Sequence, residues 1–149
     1  MSYHAVQTVL VPYTPVEMFQ LVNNVADYAA FLPGCSSSDV LEESDQQVMA
    51  RLQIGHLGIS RSFVTRNTLW KPEKIDIALV EGPFLSLTGV WEFKSLGEKG
   101  CKVSLDLAFE LENGFLKTLF SKIFDKASQK LVNAFVERAV VIYGQRCLY

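Results

Sequence analysis

The sequence predicts an α+β domain spanning residues 1–149. A curved, seven-stranded antiparallel sheet wraps around a long C-terminal helix, and two short helices follow the first strand. Three observations carry this prediction. From Ser36 to Leu111 the apolar residues recur with a period of two, and the separators are too short for parallel crossovers. From about Phe115 to Gln145 they recur with the helical period instead. A sheet and a helix that each have one apolar face must bury them against each other, and a large antiparallel sheet twists enough to curl round one helix.

Ser2 to Val11 is rich in Val and Thr and is stopped by Pro12, as a strand would be. Thr14 caps the next helix, Pro15 suits its first position and Glu17 completes a capping box. This helix runs to about Asn24 with Met18, Phe19 and Val22 buried. A second helical piece, Asp27 to Leu32, ends at Pro33-Gly34. Strands are then expected at 37–44, 47–55, 59–69, 74–80, 85–95 and 101–111. In the last of these, Cys101, Val103, Leu105, Leu107, Phe109 and Leu111 alternate with Lys102, Ser104, Asp106 and Glu110, so one face is dry and the other wet. Along 85–93, Leu85, Leu87, Gly89, Trp91 and Phe93 share a face, and Gly89 marks a bend or a close approach. On the long helix Leu116, Phe120, Ile123, Ala127, Leu131, Ala134, Val141 and Ile142 form one broad face. Val132, Val136, Val140 and Tyr143 form a second stripe.

The 149 residues carry a formal charge of −2, which argues against a dedicated nucleic-acid binder and predicts no DNA partner. The charge is uneven, net −6 over residues 1–113 and net +4 over 114–149. Lys122, Lys126 and Lys130, each four residues from the next, form a basic row suited to phosphates or anionic lipid, or simply a solvated face. Cys35, Cys101 and Cys147 are scattered and form no metal motif, which predicts reduced thiols and no metal site. The start MSYHAVQTVLVPY lacks the features of a signal peptide, and no apolar run approaches the ~20 residues of a membrane span. A cytoplasmic location is expected, with transient contact at the inner membrane surface as an option.

Four segments, LVPYTPVEMFQLVNNVADYAAFLPGC (10–35), GISRSFVTRNTL (58–69), VEGPFLSLTGVWEF (80–93) and FVERAVVIY (135–143), resemble the RatA and coenzyme-Q-binding branch of the START-like superfamily. The resemblance covers nearly the whole chain in order, and it implies the helix-grip fold. It also implies one of three activities. The first is non-enzymatic binding of ubiquinone or a related isoprenoid lipid, with no required cofactor. The second is action as a toxin on the large ribosomal subunit that blocks subunit association. The third is polyketide cyclase or aromatase chemistry.

Strand parity places Asn67 and Glu81 on the inner face, and helical periodicity places Arg138 in the apolar stripe of the long helix. Arg138 and Glu81 are therefore expected to pair at a pocket mouth, or to anchor a ligand head with Asn67. A quinone head would accept hydrogen bonds from Arg or Asn. Trp91, Phe93, Leu107, Phe109 and Phe120 are expected to line the pocket, with Phe84 and the Gly82-Pro83 turn as a gate. Core packing is the plainer role for the aromatic residues. No catalytic residues are assigned, because His4 and His56 show no partner that the sequence can reveal.

Overall fold

The computed structural model describes residues 2–56, 59–111 and 114–147, with the backbone alone for Ser2, His56, Ile59 and residues 114–127. The chain order is β1 (Ser2–Val11), α1 (Pro15–Asn23), a 3-10 turn (Val25–Asp27), α2 (Tyr28–Phe31), β2 (Cys35–Glu43), β3 (Gln47–His56), β4 (Ile59–Trp70), β5 (Lys74–Glu81), β6 (Phe84–Leu96), β7 (Gly100–Leu111) and α3 (Gly114–Tyr143). The sheet order is β1-β7-β6-β5-β4-β3-β2, with every pair antiparallel. The first strand thus lies beside the last, with Ser2 opposite Glu110 and Val11 opposite Cys101.

The α1 start is built as its sequence dictates. The Glu17 N–H donates to the Thr14 hydroxyl at 3.2 Å, and the Thr14 N–H donates to the Glu17 carboxylate at 3.0 Å. A cap of this kind stabilises a helix by about 1 kcal/mol. The same Glu17 carboxylate accepts a fork from Arg146 at 2.7 and 2.9 Å. The Tyr143 hydroxyl donates to the Glu17 carbonyl at 2.8 Å, and the Tyr13 hydroxyl donates to the Gly144 carbonyl at 2.7 Å. These bonds latch the end of α3 onto the start of α1. Arg146, more than the Thr14 N–H and hydroxyl, holds the Glu17 carboxyl below the usual carboxylate range.

The main core lies where α1, α2 and the C-terminal part of α3 meet β6 and β7. Met18, Phe19, Val22 and Tyr28 pack with Trp91, Phe93, Val103 and Leu105, and Val132, Phe135 and Ala139 close the cluster. Phe135 stands edge-on to Trp91, Tyr28 and Phe31, with ring centroids 5.1–5.2 Å apart. The buried stripe on α3 runs through Ser128, Val132, Phe135 and Ala139, whereas Val141 is 70% exposed. The expected face is therefore rotated at this end of the helix. Val140, Val141 and Ile142 are consecutive, so they span too wide an arc for all to face inward, and all three are exposed. Leu116, Phe120, Ile123 and Ala127 of that expected face lie outside the described side chains.

Gly89 earns its place by what surrounds it. A Cβ there would meet Leu107 Cδ1 at 3.3 Å and Ile77 Cδ1 at 3.4 Å. Those two side chains, from the strands on either side, close over the glycine and fill the gap in the Leu87–Trp91 row.

Candidate site on the concave face

The inner face of β4 presents Thr65, Asn67 and Leu69. The ladder sets Thr65 between Ala50 and Leu79, Asn67 between Val48 and Ile77, and Leu69 opposite Ile75. Thr65 and Asn67 are buried, Asn67 to 7% exposure, and the Asn67 Oδ1 has no hydrogen-bond partner among the described residues. Buried polar groups are normally bonded, and an orphan costs about 1–3 kcal/mol. Around it, Leu52, Phe63, Ile77, Leu79 and Leu107 face the same side from four strands, yet each is only half-buried. The inner positions of Val48–Leu52, Phe63–Leu69 and Ile75–Leu79 carry no ionisable side chain. The result is an apolar trough holding two neutral polar side chains, Thr65 and Asn67.

At one end of this trough lies a second cluster, Phe84, Leu87, Phe109 and Leu111, with Tyr3, Phe63, Leu79 and Leu107 packed against it. Phe84 stands edge-on to Phe63 at 5.5 Å and to Phe109 at 5.6 Å. The preceding Gly82 has φ +153°, and a Cβ there would lie 2.5 Å from Phe63 Cβ, so only glycine fits this turn. Leu107 touches both clusters. Trp91 and Phe93 stack on each other and meet Phe135 and Phe19, so these rings pin the helices to the sheet.

Two expected placements are corrected. Glu81 is exposed, because a bulge shifts the β4–β5 register: Thr65 faces Leu79, but Val64 faces Glu81. The extra residue, Val80, reverses the parity and puts Glu81 on the face shared by Val64 and Arg51. Arg138 consequently has no Glu81 to meet. Its Nη2 donates to Asp27 Oδ2 at 3.3 Å and its guanidinium lies 5.3 Å from the Phe31 ring centre, while its Nε is buried without a partner among the described residues. Sequence reasoning missed Asp27 in this role and passed over Thr65, Leu52 and Phe63 as lining. The inward parity of these last three was legible. His4, for which the sequence reveals no partner, meets Asp106 at 2.7 Å on the exposed outer face. Phe120, Lys122 and Lys126 lie outside the described side chains, and Lys130 is exposed.

The family described as polyketide cyclase/dehydrase and lipid transport matches residues 11–136. A ribosome association toxin RatA of Pseudomonas aeruginosa is 43% identical over 144 residues, covering 97% of this chain and 100% of the relative. The chain belongs to the RatA and coenzyme-Q-binding branch of the START-like superfamily. A mitochondrial coenzyme Q-binding protein COQ10 homolog B of Xenopus laevis is 27% identical over 135 residues, covering 87% of this chain and 55% of the relative. The Zhui aromatase/cyclase of Streptomyces sp. R1128 matches with a TM-score of 0.82 at 19% identity, over 98% of this chain and 100% of that one. That likeness shows the START-like fold alone, with its curved seven-stranded sheet and C-terminal helix. Among the described residues, no helix is long and apolar enough to cross a membrane.

Proposed function

We propose that this chain is a non-enzymatic, cytoplasmic ribosome-associating protein of the RatA type. The observation that carries the reading is the end-to-end match to the Pseudomonas RatA, 43% identical with neither chain left substantially uncovered. The four-residue spacing of Lys122, Lys126 and Lys130 along α3 would suit contact with ribosomal RNA. Lys130 is exposed, and Lys122 and Lys126 precede it at four-residue steps. Phosphate contacts of this kind release counterions, so binding would weaken steeply as salt rises. Sucrose-gradient profiles of cells overproducing the protein test the reading. Subunits should accumulate at the expense of joined ribosomes, and the K122E/K126E/K130E variant should restore the normal profile. An unchanged profile with the wild-type chain would sink it.

A second reading has its own observation, the half-buried apolar side chains of Leu52, Phe63, Ile77 and Leu79 on the concave face. It makes the concave face a pocket for an apolar ligand such as ubiquinone or a related isoprenoid lipid, in keeping with the name of the Xenopus relative. Each methylene moved from water into such a trough contributes about 0.8 kcal/mol. Organic extraction of freshly purified protein, analysed by mass spectrometry, should yield a stoichiometric apolar compound.

A further inference from the structure

We infer that β1 is the seam of a symmetric dimer, in which it pairs antiparallel with β1 of a second copy and joins the two sheets into one. The two edges of the sheet are finished in opposite ways. At the β2 edge, register shifts break the ladder between Cys35 and Ser37 and between Val40 and Glu42, and Asp39, Glu42 and Glu43 are exposed. Bulges and charges are devices that keep an edge strand from adding a strand of another chain. β1 has neither. Its residues, SYHAVQTVLV, include no Lys, Arg, Asp, Glu or Pro, and they pair with β7 from end to end without a register shift. α3 covers the inner face, where the Gln7 Nε2 donates to Ser128 Oγ at 3.3 Å. On the outer face Val6 and Leu10 are each 54% exposed. Alternate residues of an edge strand turn their N–H and C=O away from the sheet. From His4 to Leu10, no backbone hydrogen bond beyond the β7 ladder is made among the described residues.

The strand that suits this edge is its own copy. A two-fold axis through Thr8, perpendicular to the sheet, keeps both outer faces on one side. It sets Thr8 opposite Thr8, Val6 opposite Leu10 and Gln7 opposite Val9, so each copy's two exposed apolar side chains are covered by the other's. On β7, Asp106 is the ladder partner of Val6 and Lys102 that of Leu10. The paired Val6 and Leu10 therefore continue into a row with Asp106 of one copy at one end and Lys102 of the other at the far end. Symmetry makes two such rows, flanking a neutral one in which Ser104 and Thr8 of each copy meet. Moving the axis to Val6 would instead place both Asp106 side chains in one row, and moving it to Gln7 would set Val6 against Thr8. The register through Thr8 satisfies both the apolar and the charged side chains.

Sedimentation of the full-length protein over a rising concentration series tests this. The wild-type mass should climb toward twice that of the chain. Thr8→Asp or Thr8→Lys sets like charges face to face on the axis and should raise the dissociation constant about fivefold or more. An equimolar mixture of the two variants should recover the dimer, because Asp then faces Lys. A wild-type mass that stays at one chain would overturn the inference and leave the edge to a strand of another protein. Dimers indifferent to both variants, or a mixture that fails to recover, would overturn it by placing the contact elsewhere. Hydrogen exchange on the wild-type protein keeps the test whole if either variant fails to fold. Amides from His4 to Leu10 should lose protection on dilution, and protection independent of concentration would sink the proposal.

Discussion

The two ends of the concave face are built from the same residue types and finished differently. Over β6 and β7, three elements converge: α1, α2 and the last turns of α3 leave Met18, Cys101 and Ala139 with no exposure and Trp91 and Phe93 at 3%. Over β3 to β5, Val48, Ala50, Leu69 and Ile75 join the same buried core, whereas Leu52, Phe63, Ile77 and Leu79 stay half-buried and the buried Asn67 Oδ1 has no partner among the described residues. The first end is packed as a protein interior throughout, and the second mixes core positions with half-buried apolar ones. A fold that concentrates its stability at one end can leave the other under-packed, since satisfied cores and functional sites draw on opposite demands.

Substitutions at the two ends should therefore behave in opposite ways. The largest effect is expected at Phe135→Ala, which removes the ring wedged among Trp91, Tyr28 and Phe31. A loss of about 3–5 kcal/mol should appear in denaturant unfolding, and a loss below ~1 kcal/mol would show that this end is looser than it looks. Next comes Gly82→Ala, which forces a Cβ into Phe63 at the turn between the ends. Both the clash and the positive φ count against it, and about 1–3 kcal/mol should be lost in the same assay. Asn67→Leu should have the contrary sign, with stability unchanged or raised by about 1 kcal/mol, because an orphaned polar group is replaced by one that suits its wall. Clear destabilisation would mean that the amide is satisfied after all.

The smallest effect concerns pH. The Glu17 carboxyl titrates below its ordinary value of 4.5, chiefly through Arg146, so its stabilising contribution is whole above that pH and fades as the pH falls through the lower folded-state value. Glu17→Gln should flatten the acid limb of a stability–pH curve below pH 4.5 and leave the neutral region offset by a small constant. A variant curve with the wild-type acid slope would show that the latch does not depend on the charge.

Much of this contrast was legible before any coordinates. Period-two alternation located the strands, because each has one wet and one dry face, and Thr14-Pro15-Val16-Glu17 announced α1 because capping is local chemistry. The errors fall where local pattern ceases to govern. Glu81 was placed inward by counting from Ile75, but a bulge at Val80 reverses the count, and bulges leave no mark on alternation. Arg138 was expected to pair with Glu81 or to anchor a ligand head, whereas Asp27 reaches it from more than a hundred residues away through a packing of α2 against α3 that no periodicity encodes. Parity placed Asn67 inward, and there the structure has it. That its oxygen would stand unpaired depended on every neighbour at once.

The pairing of β1 with β7 has a consequence for how such a chain comes into being. Ser2 must wait for Glu110 to be synthesised before its ladder can form, a delay of roughly 5–20 s at ordinary rates of translation. Until then the opening strand is a loose thread, and the helix that fills the sheet has yet to leave the exit tunnel. The sheet therefore closes late, its β1 edge completed only once β7 has been made.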